Sequence, residues 1–128
     1  MHTILICDDD RDIVSALDIY LTSEGYRTLR AYNGLEAIQA VERNEVHLIL
    51  MDIMIPDMDG YEATRAIRLS EKVDAADIPI IALTANAFAE DAKAAHDAGM
   101  NAHLSKPLDF NKLKNILARI KKNGSVSL

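Results

Sequence analysis

The sequence has a single cysteine and no long hydrophobic run, and these two shortages exclude several classes of protein. Cys7 cannot form an internal disulfide, and because it lies inside an apolar run we expect a buried, inert thiol. No apolar run approaches the roughly 18 residues of a membrane span. The N-terminus lacks the basic region and apolar stretch of a secretory signal. These features predict a cytoplasmic protein without membrane spans.

Basic residues are also scarce, because 14 Lys and Arg stand against 20 Asp and Glu, for a net charge of −6. This balance argues against unspecific binding to nucleic acid or to an anionic membrane. A length of 128 residues, with 49% hydrophobic and 27% charged residues, is typical of one soluble globular domain. We assign residues 1–121 to that domain and 122–128 to a frayed C-terminal tail.

Short apolar runs alternate with segments of helical periodicity along the chain. We predict five strands, at Thr3–Cys7, Arg27–Ala31, Val46–Met51, Ile78–Leu83 and Asn101–Ser105. We predict five helices, at Asp12–Glu24, Leu35–Arg43, Tyr61–Leu69, Ala87–Ala98 and Phe110–Lys121. Nearly continuous apolar strands that alternate with helices predict an α/β fold, with a parallel sheet covered on both faces.

Polar side chains end most of the predicted strands. Strand two ends in the uncharged Tyr32 and Asn33, so we expect it at the edge of the sheet. Ligands of open α/β sheets bind beyond the carboxyl ends of the strands, so the remaining polar residues should converge there. These residues are Asp8, Asp9, Asp52, Thr84, Ser105 and Lys106.

Asp52 is the most informative of these residues, because it is a lone carboxylate closing an apolar run and needs a partner there. A carboxylate among other carboxylates and a lysine favours a divalent cation and a transferable phosphate. Mg²⁺ prefers hard oxygen ligands and keeps several waters. An aspartate can accept a phosphoryl group covalently, while a metal, a lysine and a hydroxyl neutralise its charge. The pattern predicts such a site.

Each piece also has an ordinary structural explanation. Asp10 or Asp12 is expected to cap the first helix, so the acidic run alone does not require a metal. Thr84 alone is typical of a turn, and Lys106 alone is typical of a solvated surface. The combination with Asp52 favours the site.

Four motifs in this order resemble the receiver domain of two-component response regulators, including single-domain chemotaxis regulators. They are the pair Asp8-Asp9, the block Asp52–Gly60, the strand end Ala82–Ala85 and the triplet Ser105–Pro107. The resemblance covers about residues 3–121. It implies a flavodoxin-like, doubly wound sheet of five parallel strands in the order 2-1-3-4-5.

The resemblance also implies roles for site residues. Asp52 would accept a phosphoryl group from a phosphohistidine of a partner kinase. Asp9 and Asp52 would ligate Mg²⁺ directly, Asp8 would act mainly through a metal-bound water, and the backbone carbonyl of Met54 would complete the protein ligands. Mn²⁺ or Ca²⁺ is expected to substitute.

The switch residues carry one departure from the family pattern. Thr84 would bond a phosphoryl oxygen and Lys106 would pair with it, whereas the usual Tyr or Phe three residues before this lysine is His103. Histidine changes its charge between about pH 5 and 8, so a pH-sensitive coupling and a plain ring rotation both stay open. Met54 and Asn86 occupy positions that tune hydrolysis of the aspartyl phosphate in the family.

Expected partners follow from the same resemblance. A sensor histidine kinase or phosphotransfer protein would dock on the helix after Asp10. The surface of helix four, strand five and helix five would contact a downstream target or a missing output domain. A stand-alone regulator and a receiver from a longer regulator or hybrid kinase both stay open. We expect no direct nucleic-acid binding, and a monomer or a phosphorylation-dependent homodimer.

A second hypothesis is a Mg²⁺-dependent phosphohydrolase with an aspartate nucleophile. Asp57-Met58-Asp59-Gly60 superficially resembles the Asp-x-Asp signature of haloacid-dehalogenase-like phosphatases. That signature should directly follow a strand, but Pro56 intervenes, and the chain lacks a cap domain for substrate selection. We therefore expect a signalling switch that only phosphorylates and dephosphorylates itself, and not an enzyme with turnover.

Overall fold

The fold is a five-stranded parallel sheet between two layers of helices. A computed structural model describes residues 2–70, 72, 75–85 and 89–122. The strands are β1 (Thr3–Cys7), β2 (Arg27–Ala31), β3 (Leu48–Asp52), β4 (Ile80–Thr84) and β5 (Ala102–Ser105). The helices are α1 (Arg11–Ser23), α2 (Gly34–Arg43), α3 (Gly60–Arg68), α4 (Ala89–Ala98) and α5 (Phe110–Lys122). The predicted helix start at Ala87, Asn86 and residues 123–128 of the predicted tail lie outside the described residues.

The strand order is β2-β1-β3-β4-β5, and every neighbouring pair is parallel. This confirms the flavodoxin-like topology and the position of β2 at the edge. Because the order reverses between β1 and β3, a crevice opens at the carboxyl ends of these two strands. In the described part of the chain, no helix has both the length and the hydrophobicity to cross a membrane.

Alternate side chains of the strands enter two separate cores, as a sheet covered on both faces requires. On one face, strand residues such as Ile6 and Leu50 pack with α1 and α5, through Leu17 and Leu113. On the other face, strand residues that include Leu5 and Met51 pack with α2, α3 and α4. The central strands are therefore fully buried and read as continuous apolar runs.

Four of the described helices follow a side chain that accepts hydrogen bonds from the first turn; one of them is α5, where Asp109 accepts from Asn111 N and Lys112 N. Asp10 caps α1, as the sequence indicated, by accepting from Asp12 N and Ile13 N. Asn33 caps α2 and Asp59 caps α3, each by accepting from a backbone N–H of the first turn. Such caps satisfy donors that the helix itself leaves free. The polar residues between strands and helices thus fix where each helix begins.

Two strands are displaced along the chain relative to their predicted bounds. β3 was expected at Val46–Met51 and β4 at Ile78–Leu83, yet each begins two residues later and ends one residue later. Val46 and Ile78 are buried in the core without belonging to a strand, so burial alone made them look strand-like. Asp52 and Thr84 are consequently the last residues of their strands and not the first residues after them.

The buried face of α2 also differs from the simple apolar pattern. Leu35 is 57% exposed although it is large and apolar, whereas Gly34, Ala37 and Val41 are buried. A Cβ on Gly34 would meet Met58 Cγ at 2.3 Å, so the start of α2 approaches the segment before α3 too closely for a side chain. The residues of α2 that are buried in the core are therefore smaller than the exposed Leu35.

Candidate functional site

The candidate site lies at the carboxyl ends of β1, β3, β4 and β5, where the sequence predicted it. Asp8 directly follows β1, Asp52 ends β3 and Thr84 ends β4. All three are buried, with 0%, 4% and 3% of their surface exposed, whereas Asp9 is exposed. Lys106 follows β5 and is half-buried. The fold thus brings one ammonium and three carboxylates to one edge of the sheet.

The carboxylates form a compact group. One oxygen each from Asp8, Asp9 and Asp52 lies within 4.8 Å of the other two. Lys106 Nζ lies 3.0 Å from Asp8 Oδ2 and 3.2 Å from Asp52 Oδ2. The lysine therefore contacts both buried carboxylates and leaves Asp9 at the solvent-facing side of the group.

Backbone groups orient the two buried carboxylates. Asp52 Oδ1 accepts from Met54 N at 3.0 Å, and Asp8 Oδ1 accepts from Asp10 N at 2.9 Å. In each case one oxygen is held by the following turn while the other faces Lys106. The sequence did not predict the hydrogen bond from Met54 N to Asp52, because every residue except proline has a backbone N–H and the residue type does not show where it donates.

Burial and mutual repulsion shape the electrostatics of the site. Burial raises the pKa of Asp52 to about 6, and Asp8 adds to the rise, while Met54 N–H and Lys106 oppose it. Burial lowers the pKa of Lys106, but hydrogen bonding and attraction to Asp8 and Asp52 outweigh that effect and the net shift is upward. Two buried carboxylates therefore share one ammonium, and the site holds an excess of negative charge.

The excess charge suits a small divalent cation. Asp8 Oδ2 is fully buried and, among the described residues, its close polar neighbour is Lys106 Nζ at 3.0 Å, an ammonium that Asp52 shares. Three carboxylate oxygens close together match the hard donor set that Mg²⁺ or Ca²⁺ prefers. The residues present therefore fit a divalent metal.

Gly60 supports the site in a way that the sequence did not reveal. A Cβ at this position would lie 2.4 Å from Asp52 O and 2.7 Å from Ile53 Cα, closer than real side chains come. Gly60 N also donates to Ile53 O at 3.0 Å. The absence of a side chain lets the start of α3 pack directly against the end of β3.

Other predicted residues fall beside the carboxylate group or outside it. Thr84 stands opposite Ser105 in the sheet register, next to Lys106. Met54 is 75% exposed at the mouth of the site. His103 is exposed on β5, opposite Ala82, and does not belong to the carboxylate group.

Two smaller expectations concern residues around the site. Cys7 is buried as expected, and burial raises the pKa of its thiol, with Asp52 and Asp8 adding to the rise. The peptide bond Lys106–Pro107 is cis, as the resemblance implied.

The phosphohydrolase hypothesis finds no support at its own motif. The Asp59 side chain caps α3 by accepting a hydrogen bond from Glu62 N at 2.8 Å. Asp57 is exposed and has a positive φ of 71°. Neither residue ends a strand, so the Asp-x-Asp resemblance is a turn and a helix cap.

Comparison with known proteins agrees with this geometry. Residues 4–118 match the family model of the response regulator receiver domain. The chain is 35% identical over 115 residues to the sensor histidine kinase RcsC of Salmonella typhi, a match that covers 90% of this chain and 12% of that protein. The chain spans between 7% and 56% of the length of several curated relatives that it matches.

Solved structures give the same result. The receiver domain of a sensor histidine kinase from Pseudomonas aeruginosa PAO1, described with a magnesium ion in its active-site cleft, is 40% identical, with a TM-score of 0.83 over 92% of this chain and 95% of that one. A chemotaxis protein from Vibrio cholerae is 27% identical, with a TM-score of 0.88 over 94% of this chain and 98% of that one. The chain therefore belongs to the response regulator receiver domain family.

Proposed function

We propose that the chain is a phosphorylation-controlled switch in which Asp52 accepts a phosphoryl group. The observation that carries this proposal is the group of three carboxylates within 4.8 Å that Lys106 contacts at 3.0 and 3.2 Å. A buried aspartate held between a metal-binding group and a lysine has the surroundings that an aspartyl phosphate needs. Membership of the receiver family supports the same role.

In the proposed step an oxygen of Asp52 attacks the phosphorus of a phosphohistidine in a partner. The new O–P bond forms as the P–N bond breaks, and the imidazole leaves with a proton from solvent. Lys106 is already beside the accepting carboxylate and pairs with the incoming phosphoryl oxygens. Met54 N–H holds the other carboxylate oxygen, which keeps Asp52 oriented during attack.

The proposed cofactor is Mg²⁺, with Mn²⁺ or Ca²⁺ able to take its place. Asp9 and Asp52 would ligate it directly, Asp8 mainly through a water, and the Met54 carbonyl would complete the protein ligands. The metal supplies positive charge that neutralises the transferring group. The buried Asp8 Oδ2, whose ammonium partner Lys106 is shared with Asp52, supports this assignment, because the site holds three carboxylates and one ammonium. So does the magnesium ion described for the Pseudomonas relative.

Phosphorylation would be read out through Thr84 and His103. Thr84 is buried at the end of β4 and would donate its hydroxyl proton to a phosphoryl oxygen. His103 on the neighbouring strand would then rotate its ring inward, as the aromatic residue at this position does in the family. If phosphorylation changes the NMR chemical shifts by the same amount at pH 6 and at pH 8, the coupling through His103 is not pH-sensitive.

The proposed phosphoryl donor is a sensor histidine kinase or phosphotransfer protein that docks on α1. Ile19 on α1 is 72% exposed, so its side chain is accessible to a partner that docks on this helix. The proposed output face comprises α4, β5 and α5, for a downstream target or an output domain of a longer chain. We place the protein in the cytoplasm, as a monomer or phosphorylation-dependent homodimer that binds no nucleic acid directly.

Acetyl phosphate separates the switch from a turnover enzyme. With Mg²⁺, we expect incorporation that approaches one phosphoryl group per chain and stops there, because only self-dephosphorylation consumes it. The control is p-nitrophenyl phosphate under the same conditions. Many turnovers of this monoester, without stable labelling of the chain, would contradict the proposal and favour a hydrolase.

A further inference from the structure

Arg68, at the end of α3, is the most extensively hydrogen-bonded side chain in the described part of the molecule. Its guanidinium is half-buried and all five of its N–H groups donate to oxygen atoms. Nε and Nη2 donate to Gly99 O at 3.1 and 2.6 Å. Nη1 donates to Ala75 O at 3.0 Å and to Ile78 O at 2.5 Å. Nη2 also donates to Asn101 Oδ1 at 2.8 Å.

Asn101 extends these contacts into the sheet. Its Oδ1 accepts from Ile80 N at 2.8 Å as well as from Arg68, so both lone pairs of this oxygen are used. Its backbone N–H donates to Ile80 O at 2.8 Å. Arg68 and Asn101 together join the end of α3, the turn after α4 and the first residue of β4. We call these two side chains the α3–α4 latch.

The latch also matches the charge of the helix end that it holds. Gly99 directly follows α4, and carbonyls at a helix C-terminus carry partial negative charge that a cation stabilises. The last turn of α4 carries one basic residue, His96, and Arg68 adds a permanently charged group from another helix. Gly99 has a φ of +107°, and a Cβ there would lie 3.2 Å from Arg68 Cγ. The Arg68 side chain therefore packs closely against the turn at Gly99.

The position of the latch relates it to the site. β4 runs from Ile80, at the latch, to Thr84, at the carboxylate group. α4 then returns along the sheet from the site end to Gly99, where Arg68 holds it. α4 ends at the latch, and β5, which pairs with β4, starts next to it.

We propose that Arg68 is a positioning residue that anchors the C-terminal end of α4, so that α4 and β5 respond together when Asp52 is modified. This role rests on the proposed function, because it concerns the response to phosphorylation. Without the anchor, the region next to Thr84 still responds, but the response no longer reaches the far end of α4 and the start of β5.

Beryllofluoride, an analogue of the phosphoryl group that binds carboxylates together with Mg²⁺, tests this role. Amide chemical-shift changes are measured at Ala85, beside the site, and at His96 and Ala102, beside the latch. In Arg68→Met we expect the change at Ala85 to persist. The changes at His96 and Ala102 should fall at least about fivefold, the low end of measured couplings between sites.

Two controls separate positioning from general stability. Leu17→Ala, in the core between the sheet and α1 and α5 on the opposite face, is brought to the same melting temperature as Arg68→Met by adjusting urea, and it should keep all three shift changes. Arg68→Lys keeps the charge with only three donors and should restore part of the response. Full shift changes at His96 and Ala102 in Arg68→Met would overturn the role of Arg68.

A different result would overturn the proposed function itself. If the wild type shows no beryllofluoride response at Ala85 and no labelling by acetyl phosphate, Asp52 is not a phosphoryl site and the role of Arg68 falls with it. If acetyl phosphate labels the wild type and beryllofluoride shifts its signals, but Arg68→Met shows the same shift changes, only the role of Arg68 is wrong.

Discussion

Lys106 Nζ lies 3.2 Å from Asp52 Oδ2, although the two residues are 54 positions apart in the chain. The same ammonium lies 3.0 Å from the buried Asp8 Oδ2. One lysine is thus shared by two buried carboxylates. The Lys106 ammonium offsets part of the negative charge of these carboxylates, and binding of a metal or a phosphoryl group would change the net charge of the site.

The ionised Asp52 should cost the metal-free protein stability. Its pKa is raised to about 6 in the folded state, above its usual value near 4, so the folded state binds protons more tightly than the unfolded state. The cost is fully present above about pH 6 and is lost as the pH falls toward 4. Without metal, Asp52→Asn should raise the free energy of unfolding by about 2 kcal/mol at pH 7.5.

Urea unfolding in EDTA at pH 7.5 and pH 4.5 measures this effect. The gain of Asp52→Asn should fall to less than half at the lower pH. Asp18→Asn is a contrasting control, because hydrogen bonds from Thr28 and Arg30 lower the pKa of Asp18 and its ionised form stabilises the fold. A gain for Asp52→Asn that does not change with pH would contradict the electrostatic explanation.

Removing Lys106 should destabilise the metal-free protein and strengthen metal binding. Lys106→Met leaves Asp8 and Asp52 without their ammonium, and we expect a loss of about 2 kcal/mol, below the usual value for a buried pair because Lys106 is partly exposed. A divalent cation then replaces the missing charge, so Mg²⁺ should bind severalfold more tightly than in the wild type. Acetyl phosphate labelling should persist, whereas the shift change at His103 on phosphorylation should weaken.

Titration with MgCl₂ followed by urea unfolding checks both parts of this prediction. Lys114→Met is the matched control, because Lys114 is exposed on α5 and should alter neither quantity. If Lys106→Met bound Mg²⁺ more weakly than the wild type, the lysine would not compete with the metal for these carboxylates.

Gly60→Ala should disturb the phosphoacceptor through direct contact. The new methyl group would lie 2.4 Å from Asp52 O, so β3 or α3 must move, at a cost of about 1–3 kcal/mol. Gly25→Ala is the control: nothing lies within 4 Å of its Cβ, and its φ of +93° alone makes it unfavourable, by about 1–2 kcal/mol. Both variants should lose stability in thermal unfolding, but only Gly60→Ala should slow labelling, by about tenfold or more. Equal labelling rates would show that the contact does not position Asp52.

Ile19 should matter for transfer from a protein donor and not for the chemistry at Asp52. Ile19→Glu places a charge on the exposed face of α1, and we expect phosphotransfer from a phosphorylated histidine kinase to slow by about tenfold. Labelling by acetyl phosphate should stay unchanged, because this small donor needs no docking surface. Leu69→Glu is the control, since Leu69 is 84% exposed just after α3. If both variants slowed transfer equally, α1 would not be the docking surface.

The sequence predicted the order of elements and the convergence of the polar residues, because both depend on strand ends. β1 and β2 have the predicted bounds, and the polar residues after apolar runs meet where parallel strands must place them. β3 and β4 extend one residue further than predicted, because the ladder that pairs Asp52 with Leu83 joins backbone atoms irrespective of side-chain polarity. Hydrophobic patterns report burial, and burial and strand pairing end at different residues.

Contacts that depend on close approach or on the backbone left no such signal. Gly60 faces the backbone of Asp52 and Gly34 faces Met58, and in both cases the informative property is the absence of a side chain. Arg68 drew no attention in the sequence, yet its donors all meet oxygen atoms that lie 7 to 33 positions away in the chain. Such positions become visible only when the elements are packed.

The most direct test is to locate the phosphoryl group. The protein is incubated with acetyl phosphate and Mg²⁺, reduced with borohydride, which converts an aspartyl phosphate to homoserine, and digested for mass spectrometry. We expect homoserine at position 52 in the wild type and no labelling of the folded Asp52→Asn variant. Labelling of Asp52→Asn at the wild-type level, or modification at Asp57 or Asp59 in the wild type, would contradict the assignment.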